Sequence, residues 1–318
     1  MSITRYGMTD GTHGRPAGEP HVKGHVTHRQ AEHATLVADR PDAVTRTSLP
    51  RSEDGALAAL RQHWREYLIE GAGLGLFMVS ACLFATLLEH PSSPVRQTVT
   101  DATLRRVPMG LAMGLTAVAI IYSPWGQRSG AHLNPALTLT FWRLGKVRTW
   151  DAVFYATAQF VGGAIGVGVA AGALGAGLAH PAVNYAATVP GAWGVGVAFL
   201  AELVMTFVLM TVVLTVSNRP RLNRFAGFFA GALVASFIVL EAPLSGMSLN
   251  PARTAGSAAY ARVWTALWMY FSAPLLGMLA AAQLYVTTRG LQTVLCAKLH
   301  HENPQPCIFR CDYGARAR

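Results

Sequence analysis

Charged residues are scarce in this chain. They make up 13% of its 318 residues, while 52% are hydrophobic; a soluble domain carries about a quarter charged residues. That deficit excludes an ordinary water-soluble globular domain. Acidic residues are the scarcer sign, 16 against 26 Lys and Arg, leaving a formal net charge of +10. The basic residues are scattered over tails and short loops with no basic face. No nucleic-acid partner is therefore expected, and the charge reads as a topology signal and as contact with anionic lipid. Cysteine is rare: Cys82 lies in an apolar stretch, while Cys296, Cys307 and Cys311 lie near the C-terminal end. This excludes a disulfide framework. A hydrophobic leader is also missing, because the first long apolar run begins only near Tyr67, so no signal peptide is expected. No nucleophile, base and orienting group come together in the apolar core, so an enzyme is not expected and no cofactor is required.

What the chain does have is long apolar runs. Residues 1–53 are polar and rich in Gly, Pro, Thr and His, and read as a disordered cytoplasmic tail. Its histidines (His13, His21, His25, His28 and His33) are irregularly spaced, which favours solvated side chains over a metal site. Over 54–66, Leu57, Leu60 and Trp64 recur at helical spacing beside Arg61 and Arg65, predicting an amphipathic helix on a membrane surface. Six spans follow, at about 67–88, 107–122, 152–178, 193–216, 225–240 and 263–286. Residues 288–318 form a tail containing Cys and His.

Two short segments interrupt this series. Ser129-Gly130-Ala131-His132-Leu133-Asn134-Pro135-Ala136 is echoed by Ser245-Gly246-Met247-Ser248-Leu249-Asn250-Pro251-Ala252. Each runs into about ten small or apolar residues, roughly 15 Å of helix and half a bilayer core. Asn is a favoured N-cap and Pro a favoured first helical residue, so each copy predicts a half-helix starting at the Asn. A surface Asn-Pro turn explains one such copy; it does not explain two at matching places in two hydrophobic halves. Three spans per half make the second half enter the membrane from the opposite side. The predicted fold is an all-α membrane protein, six transmembrane helices plus two re-entrant half-helices in an inverted repeat, with repeats at about 67–178 and 193–287. Helix N-termini carry free N–H groups and about half a positive charge. Two of them meeting at mid-membrane would repel cations and hydrogen-bond neutral molecules.

With these motifs, the chain resembles the major intrinsic protein family of aquaporins and aquaglyceroporins. SGAHLNPALTL at 129–139, SGMSLNPARTAGSA at 245–258, Glu70 and Glu202 early in each half, and WMYFSAPLLG at 268–277 carry the resemblance, which covers about 67–287. It implies a passive channel for water or small uncharged solutes such as glycerol, assembled as a homotetramer with one pore per subunit. Asn134, Pro135, Ala136, Asn250, Pro251 and Ala252 would form the pore motifs. Arg253, three positions past Asn250, would stand at the outer mouth, donating to solute and repelling cations. A snorkelling Arg at a helix end is the competing reading. Met247, Ile238 and either Met113 or Gly114 would set the width around Arg253. Strict water channels of the family usually carry a His where this chain has Ile238. Glycerol-type channels have an aromatic pair here and an Asp after the Arg, where this chain has Thr254. The pattern is closer to the plant nodulin-like subtype, for which metalloid acids are an alternative solute.

Glu70 and Glu202 admit two readings: supports that hold the re-entrant loops, or proton carriers of a secondary transporter. His132 either lines the inner pore or packs in its loop. In the C-terminal tail, Cys296, His300, His301, Cys307 and Cys311 could hold zinc tetrahedrally, although the spacing is not that of a standard finger; reduced cytosolic thiols are the competing reading. Loop charges place both termini in the cytoplasm of a multi-pass cell-membrane protein: Arg128, Arg143, Lys146 and Arg148 lie between spans two and three, and Arg219, Arg221 and Arg224 between four and five.

Overall fold

The computed structural model describes residues 55–313; the N-terminal tail and its histidines lie outside them. Among the described residues there are six long helices and two short ones that start at Asn-Pro. They are α1 (Ala56–Glu89), α2 (Ala102–Tyr122), the half-helix α3 (Pro135–Arg143), α4 (Thr149–Leu174), α5 (Gly194–Ser217), α6 (Ala226–Leu240), the half-helix α7 (Pro251–Ala261) and α8 (Leu267–Arg289). Five of the long helices are long and apolar enough to cross a membrane. The sixth, α6, has 15 residues, about 22 Å of helix.

The helix ends follow from local chemistry. Asp101 caps α2, its Oδ1 accepting from the Leu104 N–H at 2.9 Å, which starts the helix five residues before the predicted position. That donor holds the exposed Asp101 carboxyl below its usual range. The amphipathic segment expected as a separate helix over 54–66 is continuous with α1, and bends at His63 (φ −122°, ψ 15°). There Asp151 Oδ1 meets both His63 Nδ1, at 2.8 Å, and the Tyr67 hydroxyl, at 2.6 Å.

Outward faces are apolar, with Leu76, Leu115, Ile165, Leu200 and Leu276 exposed, as expected of helices that face lipid. All seven tryptophans are exposed and lie near helix ends. Trp64, Trp125, Trp142 and Trp150 mark the end where α1 begins, and Trp193, Trp264 and Trp268 the opposite end, as two interfacial belts. Inside, backbones touch. A Cβ added to Gly162 would lie 2.0 Å from the Gly71 carbonyl oxygen, and one added to Gly114 would lie 2.6 Å from that of Gly231. These contacts close the α1–α4 and α2–α6 crossings. Each half-helix packs on the third span of the other repeat, α7 on α4 and α3 on α8, which locks the two halves together.

Candidate functional site: a pore at the tips of two half-helices

The two loops leading into the half-helices have the same construction. After Gly130 (φ 96°), Ala131 and Leu133 take positive φ of 55° and 53°; after Gly246 (φ 79°), Met247 and Leu249 take 52° and 59°. Left-handed non-glycine residues cost on the order of 1–3 kcal/mol each and persist only when the surroundings hold them. Here a buried carboxylate does so in each repeat. Glu70 accepts from Ser129 Oγ at 2.7 Å, the His132 N–H at 3.0 Å, the Leu133 N–H at 2.6 Å and Gln159 Nε2 at 2.8 Å. Glu202 accepts from Ser245 Oγ at 2.7 Å, the Ser248 N–H at 2.6 Å and the Leu249 N–H at 2.7 Å. Tyr155 and Tyr270 donate to the Ser129 and Ser245 carbonyls, each at 2.6 Å. The described cavity lining contains neither Glu70 nor Glu202. Their geometry is that of loop supports, with oxygens committed to N–H and O–H donors.

At the tips, each Asn serves both halves. Asn134 Oδ1 accepts from the Ala136 N–H at 2.9 Å, while its Nδ2 donates to the Leu249 carbonyl at 2.8 Å. Asn250 Oδ1 accepts from the Ala252 and Arg253 N–H groups at 3.0 and 3.3 Å, and its Nδ2 donates to the Leu133 carbonyl at 2.7 Å. An amide nitrogen carries two hydrogens, so each Asn keeps one beyond this bond. Both residues line a cavity of about 320 Å³ that extends from Arg106 at one end of the bundle to Leu299 at the other.

Arg253 lines the same cavity, and among the described residues its buried Nη1 has no hydrogen-bond partner. Met113, Ile238, Met247 and Leu249 form an apolar cluster and line the cavity. Gly114 sits against the Gly231 backbone in the α2–α6 crossing, so of the two second-span candidates Met113 is the one on the cavity wall. Thr254 is turned from the wall: it hydrogen-bonds Thr188 Oγ1 at 2.8 Å and Ser248 Oγ at 2.5 Å. His132 is packed, with Nδ1 3.1 Å from Thr138 Oγ1, Nε2 donating to the Ala297 carbonyl at 2.9 Å, and its ring stacked between Phe141 and Phe309. It also borders the cavity.

The sequence reading missed Tyr155, Tyr270, Gln159 and Leu299. The two tyrosines had a findable signal, since they fall 26 and 25 residues after Ser129 and Ser245. Leu299 had none, because nothing local says that a tail residue reaches the pore.

Two half-helices meeting N-terminus to N-terminus inside an apolar bundle, with the Arg253 cation lining the cavity beside them, define a membrane channel. The sequence model of the major intrinsic protein family matches residues 58–285, and the chain belongs to that family. It is a passive channel for water or small uncharged solutes. Among its relatives, the probable aquaporin AqpM of Archaeoglobus fulgidus is 37% identical over 193 residues, 56% of this chain and 74% of the relative. Aquaporin NIP2-2 of Zea mays is 34% identical over 189 residues, 58% of this chain and 61% of the relative. The aquaglyceroporin structure from Plasmodium falciparum shares the fold, with a TM-score of 0.56 at 21% identity, over 70% of this chain and 95% of that one.

Proposed function

We propose that this pore conducts small uncharged solutes and water, and excludes ions and protons. The observation that carries the reading is the reciprocal contact of Asn134 with Leu249 and of Asn250 with Leu133, with Arg253 beside it. Positive helix ends and a guanidinium repel a cation, while free N–H groups replace the hydration of a neutral polar guest. Arg253, Met113, Ile238 and Met247 form the selectivity filter in this reading. Its wall is apolar except for the Arg, so it favours neutral solutes broader than water. Metalloid acids are a second solute class; the absence of a His at Ile238 and the similarity to NIP-type aquaporins support them. No covalent chemistry and no cofactor are involved. The chains assemble as homotetramers in lipid, with both termini in the cytoplasm, on the side of the Arg-rich loops.

Stopped-flow light scattering on reconstituted vesicles tests this. Water and glycerol should both permeate faster than in empty vesicles, with no proton flux under a pH gradient and no cation current. Uptake driven by a proton gradient would replace the channel reading with coupled transport through Glu70 or Glu202.

A further inference from the structure

Beyond α8 the chain turns at Gly290 (φ 86°), and residues 294–313 run back under the end of the bundle where α1 begins. They have almost no regular secondary structure, yet Val294, Cys296, Ala297 and Lys298 are at most 1% exposed. The segment is hydrogen-bonded to two loops of the channel. The Leu299 N–H donates to the Gly130 carbonyl at 3.3 Å, the Leu295 N–H to Asn218 Oδ1 at 2.6 Å, and the His301 N–H to Asn223 Oδ1 at 2.7 Å. Phe309 stacks on His132 at 5.2 Å, and the Leu299 side chain lines the pore cavity. Through Leu299 the segment reaches this mouth of the pore.

An irregular segment of this length inside a compact structure is uncommon and usually functional or disordered. Four side chains converge within it: Cys296, His301, Cys307 and Cys311 place one ligand atom each within 4.8 Å of all the others. Cys296 Sγ lies 3.4 Å from Cys307 Sγ, and His301 Nε2 lies 2.9 Å from Cys311 Sγ. Zinc–sulfur bonds of about 2.3 Å and zinc–nitrogen bonds of about 2.0 Å in a tetrahedron put sulfurs about 3.8 Å apart and sulfur and nitrogen about 3.5 Å apart. The observed spacing needs only small adjustments to enclose one ion. A disulfide needs sulfurs about 2.05 Å apart and would leave the third Cys and the His without a role.

The surroundings suit a metal thiolate centre. Cys296 Sγ accepts from the Lys298 N–H at 3.4 Å. The buried Lys298 Nζ donates to Asn303 Oδ1 and the Gln305 carbonyl, each at 2.9 Å, folding the loop between His301 and Cys307. Three thiolates and a divalent ion sum to one negative charge, which the Lys298 ammonium balances. The His301 ring is fixed by stacking on Tyr313 at 4.2 Å, and the Tyr313 hydroxyl is held by the Ser217 carbonyl at 2.6 Å. His300 stands apart, its ring against Tyr122 at 4.9 Å.

We propose that Cys296, His301, Cys307 and Cys311 bind one thiophilic divalent ion, zinc being the best fit, and that this ion clasps residues 294–313 as a floor that narrows the pore. Binding releases the three thiol protons to solvent as the sulfurs become ligands. The floor half of the proposal rests on the channel reading above; the metal half does not.

The test uses the full chain, purified in detergent under reducing conditions. Elemental analysis should find about one zinc per chain in the wild type and in Cys82→Ser, and less than about one-tenth of that in the Cys307→Ser/Cys311→Ser double variant. Cobalt added to metal-free protein should give the visible bands of a tetrahedral thiolate site. In vesicles, stripping wild type with a chelator, or introducing the double variant, should raise water permeability several-fold; restoring zinc should reverse the first effect only. A wild type that binds neither zinc nor cobalt, or is isolated with a Cys296–Cys307 disulfide, would overturn the site. A bound metal whose removal leaves permeability unchanged would overturn the floor. Failure of every form to conduct would instead fall on the channel reading, with the metal count standing as its own test.

Discussion

In the proposed channel, Arg253 is the residue on which selectivity turns. Its side chain lines the cavity, and in this reading the guanidinium hydrogen-bonds the passing solute. A hydrogen bond to a charged donor contributes about 1.5–3 kcal/mol, which corresponds to about tenfold or more in discrimination. Arg253→Ala leaves Met113, Ile238 and Met247 as the wall. We expect glycerol permeation to rise relative to water by about tenfold and proton leakage to appear; stopped-flow and pH-gradient assays of the variant read both. Unchanged ratios would remove Arg253 from the filter. Glu202 illustrates the opposite kind of buried charge, one whose oxygens are taken by the Ser248 and Leu249 N–H groups and by Ser245. In Glu202→Gln an amide nitrogen faces one of those donors. The cost is about 2–4 kcal/mol, seen as a thermal midpoint in detergent lower by several degrees. An unaltered midpoint would mean that the loop does not depend on the carboxylate.

At the scale of elements, the close crossings decide whether the pore keeps its shape. With no hydrophobic drive between helices in lipid, contact depends on backbones approaching closely. A Cβ at Gly162 would meet the Gly71 carbonyl oxygen at 2.0 Å, and backbone on both sides cannot yield. Gly162→Val should force α1 and α4 apart. Its expected signature is loss of the monodisperse peak in size-exclusion chromatography, or a thermal midpoint reduced well beyond that of Glu202→Gln. By contrast Gly172→Ala, where an added Cβ meets nothing within 4 Å, should behave as wild type. The half-helices are elements of another kind. At 9 and 11 residues they are too short to be stable alone, and they persist because Asn caps start them and the opposite repeat covers them.

For the whole molecule, the cavity walls come from both repeats of one chain, so each chain carries its own pore. In the proposed tetramer, oligomerisation would add stability in lipid and leave the conduction path unchanged. Native mass spectrometry from detergent should give the mass of four 34.0 kDa chains, and a stable monomer as the sole species would refute the tetramer. The exposed apolar faces around Leu68, Leu83 and Leu200 are where lipid and neighbouring subunits would meet the chain.

The local order of residues already determined the membrane class, the spans and the half-helices. Each of these rests on short-range chemistry: apolar length against bilayer thickness, Asn and Pro at a helix start, and a motif written twice. The pairing of Asn134 with Leu249, the choice of Met113 over Gly114 at the wall, and the hydrogen bonds of Glu70 and Glu202 to the loops are contacts between segments far apart in sequence. Only the packed bundle decides them, because they depend on which helix faces which. The tail shows the division most sharply. Composition announced Cys296, His301, Cys307 and Cys311 as possible ligands, but grouped His300 with them and could not see the floor. The three-dimensional path of residues 294–313 brings those four together, turns His300 toward Tyr122 and lays Leu299 against the pore, since irregular backbone takes its course from the surfaces it packs on.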